Sequence, residues 1–522
     1  MNLKYLYGYF FLKVICKLKP NQMKKSITDY LLSFILCFAF LGVLACSSEK
    51  EDNTPVNIKM LGANKDKVDF ESKENTIDIT INSNGVAWTL TNPVSWIKLS
   101  QTTGPSGSTV VKITALENTT SSVRNAEITL AGSEVPSAKI AVSQAAAVAT
   151  SLYPSYNTNP IAADASGMGS SAVELASKIK LGWNIGNTLE ATGGETAWGN
   201  PKVTKALIDA VKANGFNAIR IPCSWNQNLE NAATAKIKLD WLNRVKEVVQ
   251  YCVDNDMYVV VNIHWDGGWL ENNITEAKKV ENNAKQKAFW EQIATHLRGF
   301  DEHLLFASAN EPAVEDAIQM AVLTSYHQTF IDAVRSTGGK NATRVLVVQG
   351  PTTDIEKTNK LMTTLPVDKV TGRMMVEVHY YSPWNFAGLT KDESWGKMFY
   401  YWGTSFHSAT DTERNATWGE ESDLEKNFKL MKTQFVDKGI PVLLGEFGAI
   451  RRTTLMGDAL TLHLNSRAYY LKTVVKTAKA NGLLPFYWDE GSLGNNGFGI
   501  INRSNNTVFD TQALNALIDG LK

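Results

Sequence analysis

The chain has 522 residues, 44% hydrophobic and 20% charged, a composition that excludes a wholly disordered or collagen-like protein. Lys+Arg and Asp+Glu both number 52, so the formal net charge is zero and no global basic field exists to hold nucleic acid. At about 150 residues per domain the length suggests two to four domains. The five cysteines, Cys16, Cys37, Cys46, Cys223 and Cys252, form neither a CxxC pair nor a regular disulfide framework. No HExxH, Walker loop or GxSxG elbow occurs, which removes the usual support for a zincin, an NTPase or a serine hydrolase.

The run from Leu31 to Ala45 carries no charge and follows Lys24 and Lys25. It is short for a membrane span and fits the apolar core of a signal peptide. Val43-Leu44-Ala45-Cys46 resembles a bacterial lipobox, in which the cysteine is lipidated after cleavage, although Leu44 stands where small residues are commoner. The following Ser47-Ser48-Glu49-Lys50-Glu51-Asp52 resembles the sorting signal of Bacteroidetes surface lipoproteins. These resemblances imply a mature chain starting at Cys46, anchored to the outer membrane and facing the cell surface. Residues 1–22 read as a mis-assigned start, with Met23 the natural one. Residues 46–56 read as an acidic tether. Export argues against nicotinamide or ATP chemistry.

From 57 to 144 the hydrophobic period is two, as in Ile77, Ile79 and Ile81, with turn clusters at Asn82–Gly85, Thr103–Ser108 and Gly132–Ser137. That pattern predicts a small β-sandwich. Trp88, Ser95-Trp96-Ile97, Gly104, Asn118, Arg124-Asn125-Ala126 and Gln144 resemble the BACON domain, an immunoglobulin-like module of Bacteroidetes surface enzymes. Trp88 and Trp96 are expected in its core rather than as a sugar platform, which makes the module a spacer. Residues 145–171, rich in Ala, Ser, Asn and Gly with Pro154 and Pro160, read as a linker.

From 172 to 522 short apolar runs alternate with amphipathic stretches. Strands are predicted at Leu181–Ile185, Ala218–Ile221, Tyr258–Ile263, Leu304–Ala307, Val345–Val348, Met374–Val378, Val442–Leu444 and Leu484–Tyr487. Helices are predicted at Thr204–Asn214, Leu239–Asn255, Lys285–Leu297, Ala317–Ser336, Leu424–Lys438 and Ser466–Asn481. Eight such units predict an α/β fold, a (β/α)8 TIM barrel, with a doubly wound sheet as the alternative. The barrel is preferred because polar residues recur at the strand ends: Arg220, His264, Asn310-Glu311, His379 and Tyr381, Glu446 and Trp488. In a barrel these converge on one face, and carboxylates from the fourth and seventh strands meet across its mouth. Paired carboxylates suit glycoside cleavage. Taken singly each has a plain structural reading: Asn310 and Glu311 as helix caps, Glu446 as a stabilising partner of Arg220, Trp488 as a core aromatic.

Asn310-Glu311-Pro312, Gly445-Glu446-Phe447-Gly448, His379-Tyr380-Tyr381 and Trp488 resemble glycoside hydrolase family 5. Gly182 to Glu190, Glu195 to Pro201 and Gly215 to Pro222 resemble its subfamily 4, which holds endo-glucanases and xyloglucanases. Ala307 departs from the pattern, since many relatives carry Glu there, and this puts the support of Asn310 in question. The resemblance implies a retaining endo-β-1,4-glucanase with Glu446 as nucleophile and Glu311 as acid/base. It further implies that Arg220 and Tyr381 hold Glu446, that Asn310 and His264 contact the sugar, that His379 orients Glu311 and that Trp488 stacks on the sugar. No metal or cofactor is implied, and the substrate is a polysaccharide, first of all xyloglucan. Unbranched or mixed-linkage glucan, mannan and xylan remain alternatives, as does a non-catalytic glycan-binding surface protein. A monomer is expected. Trp198, Trp225, Trp265, Trp269, Trp384, Trp395 and Trp402 are candidates to extend the cleft, with packing beneath loops as the other reading, and Cys223 and Cys252 are expected in the core.

Overall fold

The computed structural model describes residues 58–120, 122–147 and 151–522. The signal segment, Cys46 and the acidic tether lie outside these residues. Among the described residues no helix is long and apolar enough to cross a membrane. The described residues divide into two compact units, one up to residue 147 and one from residue 151.

The first unit is a sandwich of two sheets. One holds Met60–Ala63, Asn75–Asn84, Gly107–Ala115 and Ile97–Leu99. The other holds Lys67–Phe70, Val135–Gln144, Arg124–Gly132, Trp88–Thr91 and Thr103–Gly104. Alternation puts Ile79, Ile81, Val111, Ile113, Ile128, Leu130, Ile140 and Val142 between them. Trp88 is buried in this core, and Trp96 packs at its margin under the Arg124 guanidinium, 4.4 Å from the ring centroid. The polar residues of the motif tie one end together: Arg124 Nε donates to Gln144 Oε1 (2.9 Å), and Gln144 Nε2 donates to the Leu116 carbonyl (3.0 Å).

The second unit is a closed parallel barrel. Its strands are β1 Gly182–Ile185, β2 Ala218–Ile221, β3 Tyr258–Asn262, β4 Leu304–Ala307, β5 Leu346–Gln349, β6 Met374–Tyr380, β7 Val442–Phe447 and β8 Leu483–Asp489. All eight overlap the predicted runs, and the doubly wound alternative is excluded by the pairing of β8 with β1. Outward residues such as Val259, Val261, Val376, Val378 and Leu444 pack under the surrounding helices. Inward residues Ala218, Val260, Leu305, Val347, Met375, Leu443 and Phe486 fill the lower interior, beneath which lies the helix Ala172–Lys178 with Leu175 and Ile179. That helix starts with a capping box, Ser171 with Glu174, which satisfies two donors of its first turn.

The linker expected over 145–171 is corrected. Ala145 and Ala147 still bond to the sandwich, through the Phe70 and Thr120 carbonyls. Residues 151–171 belong to the barrel unit. Tyr153 and Tyr156 pack on its core, and Ile161–Ala163 pairs with Gly338–Gly339. Glu291 Oε2 accepts from Ser155 Oγ (3.0 Å) and from the backbone N–H groups of Tyr156 (2.6 Å) and Asn157 (3.1 Å). The polar side chains that suggested a tether bond to the barrel at several points: besides Glu291, Ser170 bonds to Glu302, Asn157 to Ser336, and Asp164 and Ser166 to Lys340.

Glu291→Ala is therefore expected to strip three donors of their acceptor and to destabilise the barrel by about 2–3 kcal/mol, readable as a lower urea midpoint at unchanged slope. An unchanged midpoint would mean the segment lies on the barrel without bracing it.

Candidate active site

The upper interior of the barrel is polar where the lower is apolar. On β6, Met375, Glu377, His379 and then Tyr381 follow strict alternation, while Val376, Val378 and Tyr380 face the helices. The same period turns Asn184, Arg220, Asn262 and Gln349 inward, all buried.

Glu446 breaks that rule. Leu443 points in and Leu444 out, so Gly445 points in and Glu446 should point out. A bulge intervenes: Val378 pairs with Leu444 and His379 pairs with Glu446, leaving Gly445 unpaired. The extra residue re-aims Glu446 to the cleft. Gly445 is required there, because a Cβ would sit 2.1 Å from Glu377 Oε1.

Arg220 stands at the centre. Its Nη1 lies 2.8 Å from Glu446 Oε1 and 3.1 Å from Asn184 Oδ1, its Nη2 2.8 Å from Asn310 Oδ1, and its Nε 2.8 Å from Glu377 Oε1. Tyr381 donates to Glu446 Oε2 at 3.0 Å. His379 lies among three carboxylates: Nδ1 is 2.7 Å from Glu311 Oε1 and 3.7 Å from Glu446 Oε2, and Nε2 is 3.3 Å from Glu377 Oε1. Oxygen atoms of Glu311 and Glu446 lie within 4.8 Å of one another. The Glu311 side chain is 41% exposed and that of Glu446 7%.

The charges follow from these neighbours. Burial pushes the His379 ring down, but Glu446, Glu311 and Glu377 outweigh it and lift its pKa to about 10. Burial pushes Glu311 up, and the hydrogen bond and charge of His379 more than reverse this. Burial raises Glu446, against the pull of His379 and Arg220. Glu377 is buried yet held low by Arg220, His379 and Gln349, whose amide donates to it at 2.6 Å. Burial, with Arg220 and His379 nearby, keeps His264 far below its usual value and neutral. Glu311, His379 and Glu446 are close enough to touch one small cation. The three carboxylates that raise the His379 pKa favour its protonated ring, so a cation bound there would have to displace a proton from it.

All the predicted site residues on the strand ends come together. His264 and Trp488 lie parallel, 4° apart with centroids 6.0 Å apart, and Asn262 donates to His264 Nδ1 at 3.2 Å. The plain readings fare differently. The helix after β4 is capped by Asp316, so Asn310 and Glu311 cap nothing. Trp488 is only half-buried. Glu446 does pair with Arg220. Ala307 is buried inside the barrel, level with Asn262 and Val347, and Asn310 is held by Arg220 without help from that position.

Of the candidate cleft aromatics, Trp198, Trp265, Trp384 and Trp395 are exposed, whereas Trp225 and Trp402 are fully buried core residues. Trp269 packs on Phe289 and donates to Asp266. Cys223 and Cys252 are buried and free. Three features escaped the sequence reading. Glu377 was legible as the inward residue two before His379. Trp418 lies in an irregular loop and gave no periodic signal. Glu271 is a nearly buried carboxyl beside Glu311, raised to about 8 by burial and by that neighbour's charge.

Residues 184–494 match the model for cellulase (glycosyl hydrolase family 5), and residues 86–145 match BACON, a putative binding domain. The chain is 35% identical over 495 residues to a xyloglucan-specific endo-beta-1,4-glucanase of Bacteroides ovatus, covering 90% of this chain and 94% of that one. The solved structure of a B. ovatus GH5 xyloglucanase with an XXXG heptasaccharide superimposes with a TM-score of 0.66 at 33% identity, covering 89% of this chain and all of that one. A GH5-4 broad specificity endoglucanase from Bacteroides salanitronis gives a TM-score of 0.62 at 33% identity, covering 70% of this chain and 98% of that one. A barrel with two facing carboxylates around a buried arginine, matched across more than half its length by one family, places this chain in glycoside hydrolase family 5 as an endo-β-1,4-glucanase carrying a BACON domain.

Proposed function

We propose that this enzyme cleaves xyloglucan by double displacement. The observation that carries the mechanism is the short span between Glu311 and Glu446, within 4.8 Å between oxygens. Inverting enzymes need about 6.5–9.5 Å to admit a water, and retaining ones about 5–5.5 Å between carboxyls. Glu446 is the nucleophile, since it is nearly buried, fixed at both oxygens and oriented by Arg220 and Tyr381. Its oxygen attacks the anomeric carbon as the bond to the leaving oxygen breaks. Glu311 is the acid/base, since it is the exposed member of the pair. The proton it gives to the leaving oxygen is held in the free enzyme by the Glu311–His379 pair. Once Glu446 is esterified its negative charge is gone, so Glu311 stays an ionised carboxylate and can act as the base that takes a proton from water, as that water attacks the same carbon and frees Glu446. Asn310 and His264 meet the hydroxyls of the sugar held against Trp488.

The xyloglucan assignment is supported by the B. ovatus relative that carries that specificity and aligns along nearly the whole chain. A broader glucanase acting on unbranched or mixed-linkage glucan is the second reading, favoured by the broad specificity of the B. salanitronis enzyme. Lipidation at Cys46, with display on the outer membrane and the sandwich as spacer, is proposed from the segment Val43 to Asp52 alone.

Three measurements test this. Purified residues 46–522 should release mid-length fragments from xyloglucan faster than from carboxymethyl cellulose, mixed-linkage glucan, galactomannan or xylan. Faster cleavage of an unbranched glucan would favour the second reading, and no cleavage of any would restore the binding-protein alternative. Glu446→Ala should lower turnover on the order of 10⁴-fold with the fold intact by circular dichroism. His379→Gln should move the alkaline limb of kcat/KM to lower pH. The sign follows from the pair: with His379 present a proton is retained up to about pH 10, whereas without it Glu311 alone must hold that proton. An unmoved limb would remove His379 from the proton account.

A further inference from the structure

A cavity of about 520 Å³ opens beside the catalytic pair, on the side of β5 and β6. His379 and Tyr381 form its inner edge. Trp384, 46% exposed, stands next, its ring crossing that of Tyr381 at 86° with centroids 6.1 Å apart. That ring is held in place by the close approach of Gly388, where a Cβ would meet it at 2.2 Å. Trp418, 49% exposed, and the polar side chains of Asp354, Glu356, Asp423, Lys426 and Asn427 line the farther side.

The direction of cleavage follows from what flanks Glu311. Trp488 and His264, at the ends of β8 and β3, hold the sugar that Glu446 attacks. His379, which contacts Glu311, borders the cavity. The oxygen that Glu311 protonates therefore departs toward β5 and β6, and the cavity receives the leaving part of the polymer. A backbone glucosyl unit stacked on Trp384 would use one flat apolar face. It would leave the farther wall of Trp418, Asp423, Lys426 and Asn427 uncovered. Asp423 already accepts from the Gly419 N–H (2.8 Å), and Asp354 from the Lys357 N–H (2.7 Å). A carboxylate offers about four acceptor positions, so both keep capacity for hydroxyls. Asn427 Nδ2 donates to the Asp423 carbonyl (2.9 Å), which leaves its amide oxygen and second N–H for a hydroxyl, and Lys426 lies 3.6 Å from Glu356 with donors to spare.

We propose that this cavity is a branch-binding subsite on the leaving-group side: Trp384 carries the backbone glucosyl unit, while Trp418 and the polar wall take the pendant sugar attached to it. The inference rests on the substrate reading above and adds where along the chain a branch is recognised.

The test compares kcat/KM on xyloglucan and on an unbranched mixed-linkage glucan for the wild type, Trp418→Ala and Asn427→Ala. Each variant should lower the branched-to-unbranched ratio about tenfold, the size of one lost pocket contact. Both polymers falling by one factor, or neither falling, would overturn the branch subsite while leaving the substrate reading intact. A wild type that cleaves the unbranched glucan but not xyloglucan would instead overturn the substrate reading and the subsite with it.

Discussion

Everything at the mouth of the barrel depends on one buried guanidinium. Arg220 reaches strands β1, β6 and β7 and the segment after β4 through Asn184, Glu377, Glu446 and Asn310. Such a charge costs several kcal/mol to desolvate and is tolerable only when its donors are engaged. Arginine suits the task because its planar fork presents fixed donors and keeps its charge. Two carboxylates share it, and they differ in consequence. Glu377 is sealed in and balances the charge. Glu446 shares a donor face with Tyr381 and keeps an edge toward the cleft.

The second constraint is proton accounting. Glu311, Glu377 and Glu446 are three acids served by Arg220 and His379. The proton that makes His379 a cation is the mobile one, and the His379–Glu311 contact keeps it where Glu311 can pass it to a leaving oxygen. The loops around this centre are set by buried carboxyls that accept backbone N–H groups. Asp266 takes those of Trp225 and Asn226 as well as the Trp269 indole, and Glu190 takes those of Asn187 and Thr188. Burial lifts both acids to about 7.

Much of this was legible in the chain itself. Eight apolar runs gave eight strands, since a strand buried on both faces must be apolar along its length. Polar residues just past their ends marked the catalytic face. Strict alternation even carried Glu377, two residues before His379, though the eye rests on strand ends and passes over strand interiors. The orientation of Glu446 was not legible by that rule, which turns it away from the cleft. A bulge depends on how β7 pairs with β6, and no local pattern around Gly445 declares it. The length of the linker was misread for a related reason. Residues 151–171 have the composition of a tether, and what fixes them are partners more than a hundred positions away, among them Glu291, Glu302 and Lys340. Trp198, Trp225, Trp265 and Trp402 looked alike in sequence, and only tertiary packing sorted them into surface and core.

The account turns on the span between Glu311 and Glu446 being too short for an attacking water. Proton NMR of the first product released from a soluble cello-oligosaccharide reads this directly, before mutarotation scrambles the new reducing end. The geometry predicts the β-anomer, the configuration of the bond cleaved. Initial release of the α-anomer would mean single displacement by water, and would contradict the role given to Glu446.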